Sequence, residues 1–168
     1  LELTIIPGRE EFSGKTTIDL NIASPRSHFY IHGKNISASK VQITNGGSTF
    51  NGTYQQVHAS GIVRISADQP MSGDVRLVIE YSAPFNQALE GLYTVSESDN
   101  DYAFTQFEAI SARLAFPGFD QPGFKTPFTT TLIVPEDHVA ISNTPELSSA
   151  IIDGLKHVQF APTKPLPT

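Results

Sequence analysis

The chain has 168 residues, of which 39% are apolar and 17% charged, with a formal net charge of −6 and no cysteine. This length suits one domain spanning 1–168, large enough to bury a core without staples. The acidic balance argues against a nucleic-acid partner, and the missing cysteines exclude disulfides, thiolate metal sites and a cysteine nucleophile. No apolar run approaches ~18 residues, so no transmembrane segment is predicted, and no signal peptide is visible. The chain starts at Leu1 and its one methionine is Met71; it reads as a processed chain or a piece of a longer one. Its compartment stays open: a soluble protein of the cytoplasm, or of the periplasm or secreted.

From the N-terminus onward the dominant period is two. At "GREEFSGKTT" five residues separate Gly8 from Gly14. A P-loop needs four and a helix after them, so nucleotide binding is set aside. In "TTIDLNIA", Ile18, Leu20 and Ile22 share one face and Thr17, Asp19 and Asn21 the other. "HFYIHG", "SKVQITNG", "YQQVHASG" and "IVRISADQP" read as shorter strands of the same kind. In "DVRLVIEYSA", Val75, Leu77, Ile79 and Tyr81 alternate with Arg76, Val78 and Glu80. "PFTTTLIVP" sets Phe128, Thr130, Leu132 and Val134 on one side. Each pattern suits a sheet with one buried face.

Asn45-Gly46-Gly47 and Asn51-Gly52 are hairpin signals, and Gly61, Gly73 and the stretch 68–70 mark further reversals. The one candidate for a short helix is "SSAIIDGLK" at 148–156. The tail "APTKPLPT" reads as an exit linker or a strand edge.

No self-contained catalytic constellation appears. His28 and His32 are four apart, but on a strand that spacing is ~13 Å, too far for one metal. His58, His138 and His157 are isolated, and no G-x-S-x-G elbow exists.

The most informative stretch is "TQFEAISARLAFPGFDQPGFK", Thr105 to Lys125. If "DYAFTQFEAI" is extended, Tyr102, Phe104, Gln106 and Glu108 share one face, and Gln106 and Glu108 project together about 7 Å apart. An amide beside a carboxylate makes a receptor for an ammonium group. Pro117-Gly118 and Pro122-Gly123 suit type II turns. Arg113 is expected to pair with Asp120. Phe116, Phe119, Phe124 and Phe128 are expected to pack in the core or against another domain.

The block resembles the N-terminal domain of the aminopeptidase N family of zinc metallopeptidases (gluzincins), which includes leukotriene hydrolase. The family pattern runs T-Q-F-E, A-R-x-A-F-P-C-F-D-E-P, F-K-x-x-F. Here Thr105 to Glu108, Ala112, Arg113, Ala115 to Pro117, Phe119, Asp120, Pro122, Phe124, Lys125 and Phe128 stand in register. "GLYTV" from Gly91 and "ISNTP" at 141–145 are similar to flanking family motifs. Gly118 replaces a frequent cysteine and Gln121 a usual glutamate, departures that bear on turn details.

The resemblance implies an all-β fold, a saddle-shaped sandwich of antiparallel and mixed β-sheet, placed before a zinc-binding catalytic domain. The H-E-x-x-H motif is not in these residues, so the chain alone is expected to bind no metal, to hold no catalytic residue and to hydrolyse nothing. Zinc and the downstream catalytic domain belong to the parent, whose substrate is a peptide N-terminus. The resemblance gives Glu108 the role of binding the free α-ammonium, with Gln106 nearby in the pocket. Two other readings stand beside it. One is a free-standing β-sandwich module binding carbohydrate or protein, although there is no tryptophan and no obvious aromatic platform. The other is a purely structural adaptor.

Overall fold

The computed structural model describes all 168 residues, Leu1–Thr168. Its frame is two long strands, β2 (Glu11–His32) and β6 (Ile62–Pro84), paired antiparallel from Glu11↔Pro84 to His32↔Ile62. Irregular register between Ile22 and His28 bends this ribbon. The alternation read from the sequence is what the ribbon uses. Val75, Leu77, Ile79 and Tyr81 are buried, Ile22 is buried with them, and Ile18 and Leu20 pack against the margin of the same core. Fully burying a side chain such as Leu77 contributes about 1.5–3 kcal/mol.

Around the frame lie β1 (Glu2–Thr4), β3 (Ser37–Asn45), β4 (Ser48–Asn51), β5 (Thr53–His58), β9 (Thr131–Pro135), β10 (Glu146–Ile152) and β11 (Leu155–Phe160). The sheet runs β10-β11-β9-β1-β2-β6-β3-β4, with β5 on the first part of β6. β1 and β9 are parallel and the other pairs antiparallel, so the sheet is mixed. β7 (Gly91–Glu97) and β8 (Asn100–Gln106) form a separate two-stranded ribbon. Leu92 of β7 enters the main core. The fold is all-β, and the one helical feature is a short 3-10 turn at Ala112–Leu114.

Four local expectations are corrected. β6 runs straight through Asp68–Pro70 and Gly73 because β2 supplies a partner on both sides of the bend. The true reversals are Gly46-Gly47 and the turn ending at Gly61. Asn51-Gly52 is not a hairpin: β4 pairs with β3, β5 pairs with β6, and Gly52 steps the chain between them. Residues 148–156 are not helical. They are β10, a turn and the start of β11, with Asp153 and Gly154 at φ +51° and +78°. An Asp-Gly pair in that conformation is a type I′ hairpin turn. Finally, the ladder on the Phe128 side is shorter than read, since β9 begins only at Thr131.

The tail does not hang free. Thr126 and Leu166 exchange two backbone hydrogen bonds of 3.1 Å, and Thr163 N–H donates to the Phe128 carbonyl at 3.0 Å.

Candidate functional site

The residues after the β7–β8 ribbon carry the candidate site. Gln106 is the last residue of β8 and pairs with Gly91, the first of β7. Beyond Gln106 no partner remains, so the strand stops there. Glu108 therefore lies past the strand, in a turn, and its expected place on an extended face with Gln106 is corrected. The Glu108–Ala109 peptide is cis. Ser111 N–H donates to the Phe107 carbonyl at 2.8 Å and closes the turn.

Phe107 fastens this turn from below. Its ring meets Phe116 edge-on at 5.8 Å, and Phe116 meets Phe128 at 6.2 Å. Gln106 and Glu108, on either side of Phe107, are both exposed, and neither side chain makes a hydrogen bond or ion pair within the chain. Ser111, itself buried, donates from Oγ to Glu90 Oε2 at 2.5 Å. This brings a second carboxylate to the turn, and sequence reading missed it. The signal was available: Glu90 precedes the glycine that pairs with Gln106. That glycine is required. Gly91 has φ +69°, and an added Cβ would stand 2.7 Å from Leu114 Cβ.

Behind the turn the chain is locked. Arg113 Nε donates to Asp120 Oδ2 at 2.7 Å, Nη2 to the Asp120 carbonyl at 3.2 Å and Nη1 to the Ser60 carbonyl at 2.9 Å. The two side chains are 9% and 5% exposed. Thr168 Oγ1 donates to the other Asp120 oxygen at 2.7 Å. Lys34 N–H donates to the Arg113 carbonyl, and the Tyr81 hydroxyl donates to the Ala115 carbonyl at 2.9 Å. Burial raises the Tyr81 phenol above its ordinary range. His32 sits beside this pair. Burial, then the Arg113 charge, lower its pKa, with Asp120 opposing, so it is neutral at pH 7.

The type II turns are corrected. Neither Gly118 nor Gly123 has the positive φ that such a turn demands at its third position. Pro117 is buried and Gly118 exchanges two hydrogen bonds with His32 instead. Pro122 is exposed, within a turn closed by Phe124 N–H on the Gln121 carbonyl at 3.0 Å.

An aromatic surface also emerges that the sequence had not disclosed. Tyr93 lies 5.9 Å from Phe104, and Phe104 stacks at 6.3 Å on Tyr102. Tyr102 and Phe104 are 46% and 48% exposed. Register makes this platform, since β7 places Tyr93 opposite Phe104 and continues the row toward Gln106.

No three His, Cys, Asp or Glu side chains converge to hold a metal ion.

All 168 residues match the peptidase M1 N-terminal domain family. The chain belongs to that family. It is 27% identical to aminopeptidase M1-A of Oryza sativa subsp. japonica, over 96% of this chain and 20% of the relative. With endoplasmic reticulum aminopeptidase 1 of Rattus norvegicus it shares 29% identity over 89% of this chain and 17% of the relative. With aminopeptidase N of Acetobacter pasteurianus it shares 28% over 94% and 46%. The chain thus spans between about a sixth and a half of the lengths of these three relatives. No helix is long and apolar enough to cross a membrane.

Proposed function

We propose that this chain is the non-catalytic N-terminal domain, residues 1–168, of a zinc-dependent aminopeptidase, and that Glu108 receives the free α-ammonium of the peptide substrate. Gln106 offers its amide oxygen to the same group. The supporting observation is the placement of Glu108: an exposed carboxylate without a partner, on a turn fastened by the packing of Phe107 on Phe116 and by the Ser111 N–H on the Phe107 carbonyl. A carboxylate held this way does not have to reorganise to meet an ammonium. Covered by the catalytic domain, the pair is desolvated, and a charge-assisted hydrogen bond is then at its strongest. The zinc and the hydrolytic machinery would belong to the parent's other residues, and the chemistry a bound zinc would supply there is Lewis-acid activation of the carbonyl and of water.

The test uses the full-length parent. It is expected to carry zinc and to cleave an aminoacyl chromogenic amide. In Glu108→Ala, KM rises and kcat falls, with kcat/KM reduced about 10–150-fold, the equivalent of a charged hydrogen bond of ~1.5–3 kcal/mol. Unchanged kinetics would leave Glu108 a bystander.

A free-standing binding module is favoured by the row Tyr93, Phe104 and Tyr102, the last two exposed, since aromatic faces stack on sugar rings and apolar side chains. Oligosaccharide binding by the isolated chain, abolished in Phe104→Ala, would favour that reading.

A further inference from the structure

The β7–β8 ribbon and its two flanks carry charge of one sign only. Residues 90–108 include Glu90, Glu97, Asp99, Asp101 and Glu108, and no Lys, Arg or His stands between Arg76 and Arg113. All five carboxylates are exposed. None is in an ion pair, whereas Glu2, Asp19, Glu80, Asp120 and Asp137 each have a basic partner. Hydrogen bonds bring them no positive charge: Glu90, Glu97 and Asp101 accept from the neutral hydroxyls of Ser111, Ser98 and Ser96.

Register sets the aromatic row between these carboxylates. Along the outward face the pairs run Gly91–Gln106, Tyr93–Phe104, Val95–Tyr102 and Glu97–Asn100. Leu92, one residue out of phase, enters the core from the opposite face. Glu90 and Glu108 flank the Gln106 end of the row. Glu97 and Asp99 stand at the other end, about 20 Å away at ~3.3 Å per residue. That far end is a tight turn, with Ser98 and Asp99 at φ +50° and +65°, the type I′ geometry. The near end is fixed by the Ser111 hydroxyl on Glu90. The row therefore has a set length and negative charge at both ends.

These features together select a side chain. An exposed carboxylate alone holds a cation weakly, and an exposed ring alone accepts any apolar group. Lys and Arg meet both: the aliphatic stem and cationic head pack on a ring face, and the head reaches a carboxylate. An acidic side chain is repelled along the whole row. We propose, building on the amine-recognition reading, that this face sets the substrate class of the parent: peptides carrying Lys or Arg among the residues that follow the first. With its ammonium on Glu108, a peptide starts at the Gln106 end of the row. The remaining ~20 Å matches about six extended residues, whose basic side chains reach Phe104, Tyr102 and Glu97. The unpaired carboxylates also draw a basic peptide toward the site before it docks, so the preference weakens with salt.

The experiment uses the full-length parent and two octapeptide series with the same first residue. One series has Lys and Arg at positions three to six, the other Glu. The quantity read is the ratio of kcat/KM, basic over acidic, within each enzyme, so changes in folded fraction or basal rate cancel. In the unsubstituted enzyme the ratio is expected to be about 10-fold or more, expressed in KM, and to shrink at high salt. Phe104→Ala is expected to lower it about 2–30-fold, and Glu97→Lys to lower it as well. A ratio near one in the unsubstituted enzyme, or a ratio that neither substitution moves, overturns the proposal. Amine recognition is read separately, with Glu108→Gln on an aminoacyl amide too short to reach Tyr102 or Glu97. A loss there beside a peptide ratio near one overturns the substrate-class proposal alone.

Discussion

Asp120→Ala removes the carboxylate that Arg113 and Thr168 share. The Arg113 guanidinium then stays in a site only 9% exposed, with the Asp120 and Ser60 carbonyls as its remaining acceptors. Leaving one member of a buried pair uncompensated costs about 3–5 kcal/mol. At about 2–4 °C per kcal/mol for a chain of this size, the Tm falls by about 6–20 °C. The contrast is Asp19, whose bond to Arg76 is equally short at 2.7 Å but whose side chains are 66% and 59% exposed. Solvent and salt screen that pair, so Asp19→Ala is expected to leave Tm within error. Replacing both buried partners, Arg113→Met with Asp120→Leu, is expected to recover most of the loss. Thermal unfolding of the three variants beside the unsubstituted protein, at low and high salt, reads all of this. If Asp120→Ala costs no more than Asp19→Ala, burial of the pair does not determine its worth and the reasoning fails.

Two further outcomes are expected. Gly91→Ala forces a Cβ to 2.7 Å from Leu114 at φ +69°. It is expected to lose ~1–3 kcal/mol in denaturant unfolding, and to weaken amine-substrate turnover in the parent by moving the strand opposite Gln106. His32 has a lowered pKa in the folded chain, so the unfolded state binds the proton more tightly. Its contribution to stability is present above the ordinary histidine pKa of ~6.5 and is lost as pH falls through the folded value. His32→Gln is expected to flatten the stability profile below that pH, and an unchanged profile assigns the slope to other groups.

Alternation exposed the frame because β2 and β6 each keep one face in the core, and a period of two is all that arrangement requires. What decided the rest was partnership, which one strand does not encode. Asp68–Gly73 looks like a break but stays in register because β2 bends with it. The β10–β11 hairpin was legible from Asp153-Gly154, a stronger signal than the helical look of "SSAIID". Glu108 stood out as a lone acid in an apolar stretch. Its position off the strand did not, because it depends on β7 beginning at Gly91 and leaving nothing for Phe107 to pair with. Glu90 and the aromatic row with Tyr93 came from the same register. Arg113 and Asp120 are seven apart in sequence, close enough to suggest a pair, but their burial depends on Ser60 and Thr168 from distant segments.

Glu108 is proposed to read the substrate's amino group. The most direct measurement is a cycle on the full-length parent, comparing the unsubstituted enzyme and Glu108→Gln on a substrate with its α-amino group and on the same substrate lacking it. The expected loss of kcat/KM is about 10–150-fold with the amine and close to none without it, a coupling energy of ~1.5–3 kcal/mol. Equal losses on both substrates would show that Glu108 supports the structure of the site and does not recognise the amine.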